Sequence, residues 1–102
     1  MGRRDVANRP FGDELPRILG ERGITLRALT REVGGLDHAY LSRMLRGRVP
    51  VNVQHARRIA RYLRLPEDYF AEVREAAVVD AIRRRPKLRD DIYFERIKRR
   101  AG

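Results

Sequence analysis

Apolar residues recur along this chain at intervals of three and four positions, the spacing that places side chains on one face of an α-helix. No segment alternates apolar and polar residues over the length of a strand. The spacing predicts six helices, at about 11–22, 26–33, 38–46, 53–63, 66–82 and 88–99. We therefore expect an all-α protein whose helices are joined by loops of about 2 to 6 residues, as in small bundles.

Short polar residues mark where three of these helices begin. Thr25, Asp37 and Asn52 each precede an apolar stripe and carry a side-chain oxygen that can accept a hydrogen bond from a free N–H of a first turn. Glycines at 34–35 and at Gly47 follow two helix ends, because glycine adopts the left-handed conformation at no steric cost. The second and third helices are thus predicted to be short and to be joined by a glycine-containing turn.

Proline and acidic residues mark the predicted starts of the last two helices. Pro66 fits the first position of the fifth helix, where Glu67 and Asp68 would complement the partial positive charge of the helix N-terminus. The final helix is expected to place Asp90 and Asp91 in its first turn. Its apolar face, expected to turn inward, consists of Leu88, Ile92, Tyr93 and Ile97.

The chain is strongly basic, since its 102 residues include 24 Lys and Arg against 14 Asp and Glu, a net charge of +10. The charge is uneven: +6 over residues 11–65, −4 over 66–82 and +6 over 83–102. A basic body of this kind attracts polyanions, with nucleic acid as the first candidate and an acidic membrane surface as the second.

Composition argues against several other classes of protein. Zero cysteines and two histidines exclude a disulfide framework and a cysteine zinc site, and no cofactor is implied. The neighbouring acids Asp90 and Asp91 point apart on a helix, and no catalytic triad or phosphate-binding glycine loop accompanies them, so we expect no enzyme. The sequence contains no membrane span or signal peptide, which favours a cytoplasmic protein without a membrane partner.

Two short helices joined by a glycine-containing turn, inside a basic all-α domain, form the helix-turn-helix pattern. The first helix of this pattern braces the second, which presents polar side chains outward while its other face packs. The third helix of this chain is expected to bury Tyr40, Leu41, Met44 and Leu45. It is expected to turn outward His38, Ala39, Ser42, Arg43 and Arg46.

Four runs of sequence support this interpretation: ITLRAL at 24–29, YLSR at 40–43, RGR at 46–48 and IARYL at 59–63. Together they resemble the Cro/phage-repressor-type helix-turn-helix family, also called the XRE family, over residues 11–70. The resemblance implies a repressor-like five-helix helix-turn-helix domain with a C-terminal helical extension, and double-stranded DNA as its partner.

The resemblance also implies which residues touch DNA. In that family the third helix enters the major groove with its first, second, fifth and sixth residues nearest the bases. These positions correspond to His38, Ala39, Ser42 and Arg43. Phosphate contacts from the second helix, from the end of the third and from the segment after it are implied for Arg27, Arg46, Arg48 and Asn52.

Two positions depart from the family pattern. Leu26 stands where many members have glutamine, and leucine cannot make the hydrogen bonds of that residue. The turn at 34–36 is one residue longer than usual, which makes Ser42 or Arg46 an alternative for the main base contact. Past the cap of the fourth helix, His55 is expected to be an ordinary exposed side chain.

The expected organisation is a basic N-terminal arm (1–10), a helix-turn-helix domain (11–65) and a C-terminal helical extension (66–102). The extension either pairs two copies into the homodimer that palindromic half-sites require, or folds back on its own domain. In the second case it would add phosphate contacts through Lys98, Arg99 and Arg100.

The leading hypothesis is a sequence-specific, repressor-like transcriptional regulator that binds double-stranded DNA at the nucleoid. The alternative is an antitoxin-type interaction protein of the same fold, whose acidic segment 66–82 neutralises a protein partner while the domain regulates its own promoter. A weaker third hypothesis is an architectural or RNA-binding protein. It is disfavoured because most of the few aromatic residues are assigned to the core, which leaves no stacking platform.

Overall fold

Helices dominate the computed structural model of the chain, which describes residues 6–101. Residues 1–5 of the expected arm, Gly102 and the side chains of Arg100 and Ala101 lie outside the described part. The first five helices are α1 (Phe11–Arg22), α2 (Leu26–Val33), α3 (His38–Leu45), α4 (Val53–Tyr62) and α5 (Ala71–Arg84). A last helical run, the tail helix at 86–101, comprises α6 (Pro86–Ile92), a π-helical turn (Tyr93–Ile97) and α7 (Lys98–Ala101). No strand occurs between residues 6 and 101, and the all-α prediction is confirmed.

The three predicted N-caps are confirmed. Thr25, Asp37 and Asn52 each accept a hydrogen bond at 3.0 Å from the backbone N–H three positions later. Each bond satisfies a first-turn N–H that has no partner within its own helix. These caps fix the starts of α2, α3 and α4.

One hydrophobic core lies between the first five helices. Its largest fully buried side chains are Phe11, Leu15, Leu29, Leu41, Met44, Ile59, Leu63 and Phe70. The rings of Phe11 and Phe70 meet edge to face, with their centroids 4.8 Å apart. The core therefore continues past residue 65, and it includes Phe70 and Val73 of the expected extension.

The fifth helix begins at Ala71, so its predicted start at Pro66 is wrong. Pro66 instead opens a turn, in which its carbonyl accepts a hydrogen bond from the N–H of Tyr69 at 2.9 Å. The turn carries Phe70 into the core, and the burial of that ring outweighs the local preference for proline at a first helical position. The acidic residues 67–68 consequently lie outside the helix.

The tail helix begins at Pro86, which occupies its first position, and not at the predicted residue 88. Residues 90–91 therefore lie beyond its first turn. The expected inward face is wrong for Tyr93 and Ile97, which are 47% and 55% exposed. The physical reason is the connection to α5, which consists of Arg85 alone and is too short for the tail helix to turn back along α5.

Contacts between the two ends of the domain hold α1 in place. The carboxylate of Glu72 on α5 accepts the backbone N–H of Phe11, at 2.9 and 3.2 Å, and so caps α1, which has no capping side chain of its own. The buried Ala7 donates its N–H to the carbonyl of Tyr69 at 2.9 Å and accepts a hydrogen bond from Arg74. The first turns of α1 and α5 thus form one structural unit.

Candidate nucleic-acid interface

Helix α3 presents a polar face to solvent because its apolar face is fixed in the core. Leu41 and Met44 are buried, and α3 packs against α1 and α2. The crossing with α1 is close and depends on Gly12, since a Cβ there would lie 2.5 Å from the carbonyl oxygen of Leu45. The predicted base-contact residues share the other side of α3, with His38, Ala39 and Arg43 exposed and Ser42 half-buried.

An arginine from α4, which sequence reasoning missed, holds the turn between α2 and α3. In that turn Gly34 and Gly35 adopt positive φ angles of 72° and 61°. The guanidinium of Arg58 donates a hydrogen bond to the carbonyl of Val33 at 2.7 Å and another to the carbonyl of Gly34. Its charge also complements the partial negative charge at the C-terminus of α2. Because 25 positions separate Arg58 from Val33, no local pattern identifies this contact.

The ring of Tyr40 links the exposed face of α3 to α4. It is half-buried against the core, as expected, and it meets the ring of His55 edge to face, with centroids 5.8 Å apart. The guanidinium carbon of Arg43 lies 5.8 Å from the centre of the same Tyr40 ring, within cation–π distance. Tyr40 therefore restrains Arg43, a predicted base-contact residue.

The expectation of an exposed His55 is wrong. Its imidazole is half-buried because it packs against Tyr40, and its Nδ1 lies 3.5 Å from a guanidinium nitrogen of Arg58. Burial and the charge of Arg58 both lower the pKa of His55, because both disfavour the protonated ring. His55 thus acts as part of the support beneath α3.

The four predicted phosphate-contact residues flank α3 along the chain. Arg27 is exposed in the first turn of α2, and Arg46 forms the C-cap of α3. Arg48 is exposed in the next turn, where its N–H donates to the carbonyl of Arg43 at 2.9 Å. The cap formed by Asn52 uses only the oxygen of its amide, whose NH₂ group is a further donor. No ion pair between residues 6 and 101 involves Arg27, Arg46 or Arg48, so no neighbouring carboxylate neutralises them.

Other site chemistries lack a counterpart in the described part of the chain. Among residues 6–101, no group of three His, Cys, Asp or Glu side chains is placed to hold a metal ion. None of the helices in that range has the length and apolar character needed to cross a membrane. The exposed face of α3, with the arginines around it, is the strongest candidate site.

Comparison with known proteins identifies the same region. The model of a family described as helix-turn-helix matches residues 17–70, more than half of the chain. The match includes α2, α3, the turn between them and α4. Neither the curated proteins nor the solved structures contain a match to the chain.

Proposed function

Because the chain belongs to the helix-turn-helix family of Cro and phage repressors, a family of DNA-binding regulators, we propose that it is a sequence-specific repressor that reads double-stranded DNA through α3. The observation that carries the proposal is that α3 exposes one polar face to solvent while its opposite face is buried in the core. An α-helix fits the major groove, where every base pair shows a distinct pattern of donors and acceptors. Such a protein would work in the cytoplasm, at the nucleoid.

Base reading is assigned to His38, Ala39, Ser42 and Arg43. Arg43 is the strongest reader of the four, because a guanidinium can donate two hydrogen bonds to the O6 and N7 atoms of one guanine. The contact with Tyr40 limits the rotamers open to Arg43, so that less conformational entropy is lost when it binds a base.

Phosphate binding is assigned to Arg27, Arg46, Arg48 and Asn52. Their positions before and after α3 along the chain suit contacts with the backbone on both sides of the groove that α3 enters. Such contacts fix the register of the protein on the duplex and carry no sequence information. Since each phosphate neutralised by an arginine releases counterions, which the neutral amide of Asn52 does not do, binding should weaken steeply as salt is added.

The antitoxin alternative is less well supported. It assigns segment 66–82 to a basic protein partner, but the carboxylate of Glu72 in that segment is already engaged with the N–H of Phe11. Co-expression with a small toxic protein encoded beside this chain separates the two functions, because a plain repressor should not form a complex with it.

The proposed function is tested by selecting duplexes from a random pool at about 50 and 200 mM salt. We expect an enriched motif and, with about 5 to 8 phosphate contacts, a slope of log affinity against log salt of about −4.5 to −7. A pool without an enriched motif would contradict sequence-specific reading. A slope near zero would contradict nucleic-acid binding altogether.

A further inference from the structure

Two exposed apolar surfaces lie at the C-terminal end of the described chain. On α5, Val78 and Val79 are 56% and 41% exposed. On the tail helix, Tyr93, Phe94 and Ile97 are all about half exposed. We name these surfaces the valine pair and the tail face. Single exposed apolar residues are ordinary, but five large ones within residues 78–97 indicate a binding surface.

The valine pair and the tail face cannot cover each other within one chain. Two antiparallel helices need a connection of about 2 to 5 residues, whereas Arg85 alone joins α5 to the tail helix. The tail helix consequently projects from the domain, and the molecule measures 47 × 29 × 24 Å. Its radius of gyration of 16.1 Å exceeds the value of about 13 Å for a compact chain of 100 residues.

A projecting helix of this length needs a partner to be stable. Isolated helices shorter than about 12 to 15 residues are marginal in water, and the tail helix is only just longer and is interrupted by a π-helical turn. Most helices in proteins depend on packing of an apolar face. The π-helical turn, in which the N–H of Lys98 bonds to the carbonyl of Tyr93, lies within the tail face. Such turns are frequent at functional sites, which supports a binding role for this part of the helix.

Charge identifies the partner. Residues 66–82 carry a net charge of −4. Close to the valine pair in sequence, Glu75 is exposed on α5, and the exposed Asp80 also pairs with Arg84 of the same helix at 3.2 Å. Residues 83–102 carry +6, with Arg96, Lys98 and Arg99 exposed around the tail face. A second copy of this chain therefore offers the basic tail helix an apolar surface in an acidic segment. It offers the acidic segment of α5 an apolar surface surrounded by basic residues.

We propose that two copies of the chain exchange their tail helices, so that the tail face of each copy packs on the valine pair of the other. The arrangement is isologous: one two-fold axis produces the same contact twice and closes the assembly at a dimer. It goes beyond the proposed function, because it needs no DNA. It excludes fold-back of the tail helix, while α5 stays packed on its own domain through Val73. It also differs from a dimer in which two tail helices pair with each other.

Sedimentation equilibrium of the full chain, without DNA, tests the exchange. The wild type should sediment as a dimer, and Val78→Glu and Phe94→Glu should each weaken dimerisation by about tenfold or more, because each places an unpaired charge in an apolar contact. Tyr62→Glu is the matched control: Tyr62 is an exposed aromatic residue on α4, outside both surfaces, and its substitution should leave the dimer intact. Circular dichroism should show Tyr62→Glu as helical as the wild type, whereas Val78→Glu and Phe94→Glu should lose no more than the signal of the unpartnered tail helix, since all three side chains lie outside the core.

Mixing the two weakened variants separates exchange from tail-to-tail pairing. In a mixed dimer of Val78→Glu and Phe94→Glu, one of the two contacts joins an unaltered tail face to an unaltered valine pair. We therefore expect a heterodimer stronger than either homodimer of the variants. A monomeric wild type, a dimer insensitive to Val78→Glu, or a mixture without heterodimer would each overturn the exchange. Failure of the duplex selection would leave this result untouched, so the two proposals fail separately.

Discussion

Replacing Glu72 should destabilise the whole domain, although Glu72 lies in the segment that sequence reasoning assigns to an extension. Its carboxylate caps α1 from 61 positions away, by accepting the N–H of Phe11 at 2.9 and 3.2 Å. Because α1 crosses α3 closely at Gly12, a loosened first turn of α1 would also loosen the support of the candidate site.

The magnitude follows from the geometry of this cap. One N–H is shared by two oxygens of a half-buried carboxylate, which counts as one hydrogen bond to a charged group, about 1.5 to 3 kcal/mol. The negative charge at the N-terminus of α1 adds about 0.3 to 1 kcal/mol. Glu72→Ala should therefore lower the free energy of unfolding by about 2 kcal/mol, or roughly 10 °C in Tm for a chain of this size. Glu72→Gln keeps an acceptor oxygen and should lose about half as much.

Thermal unfolding followed by circular dichroism measures the effect. Glu75→Ala is the matched control, because Glu75 is an exposed glutamate on the same helix and the substitution changes helix propensity in the same way. We expect Glu75→Ala to stay within about 0.5 kcal/mol of the wild type. Equal melting temperatures for Glu72→Ala and Glu75→Ala would refute the cap and its role in the domain.

Four further substitutions test other parts of the fold. Arg64 adopts a left-handed φ of 60°, so Arg64→Gly should stabilise the domain by about 0.5 to 1 kcal/mol, whereas Gly23→Ala, at φ 68°, should destabilise it by about 1 kcal/mol in urea unfolding. A hydrogen bond from Arg17 lowers the pKa of the buried Glu14, whose stabilisation is present above the unfolded-state pKa and lost as the pH falls through the folded one. The free energy of unfolding of Glu14→Gln should accordingly fall less than that of the wild type as the pH is lowered into the acidic range. Arg58→Met removes two donors from the turn before α3 and should cost about 2 kcal/mol of stability, with weaker duplex binding in titration.

Features with local signals could be predicted from the sequence. The caps at Thr25, Asp37 and Asn52 each act within three residues, and helical periodicity was enough to place α2, α3 and the outward face of α3. The start of α5 could not be predicted because it depends on the burial of Phe70 in a core assembled from distant helices. The end of α4 could not be predicted either, because the left-handed residue that follows this helix is Arg64. Sequence reasoning looks for a glycine at such a position.

Long-range contacts of the candidate site left no pattern in the sequence. Arg58 holds the turn before α3 from 25 positions away, and Glu72 caps α1 from 61. Both belong to a chain with 24 basic and 14 acidic residues, so that neither stands out by residue type. The exposed tail face was missed for a related reason: periodicity identifies an apolar face, but the short connection at Arg85 decides whether that face can reach its own domain.

The central claim is that α3 reads base pairs while the arginines around it hold the backbone. Repeating the duplex selection with Arg43→Ala and with Arg48→Ala tests it most directly. Arg43→Ala should relax the preference at one base pair per half-site, by about 1 to 3 kcal/mol of discrimination. Arg48→Ala should keep the selected motif, weaken all sequences about equally and reduce the salt slope by about one. If Arg43→Ala instead enriches the wild-type motif unchanged at every position, the assignment of base reading to this residue is contradicted.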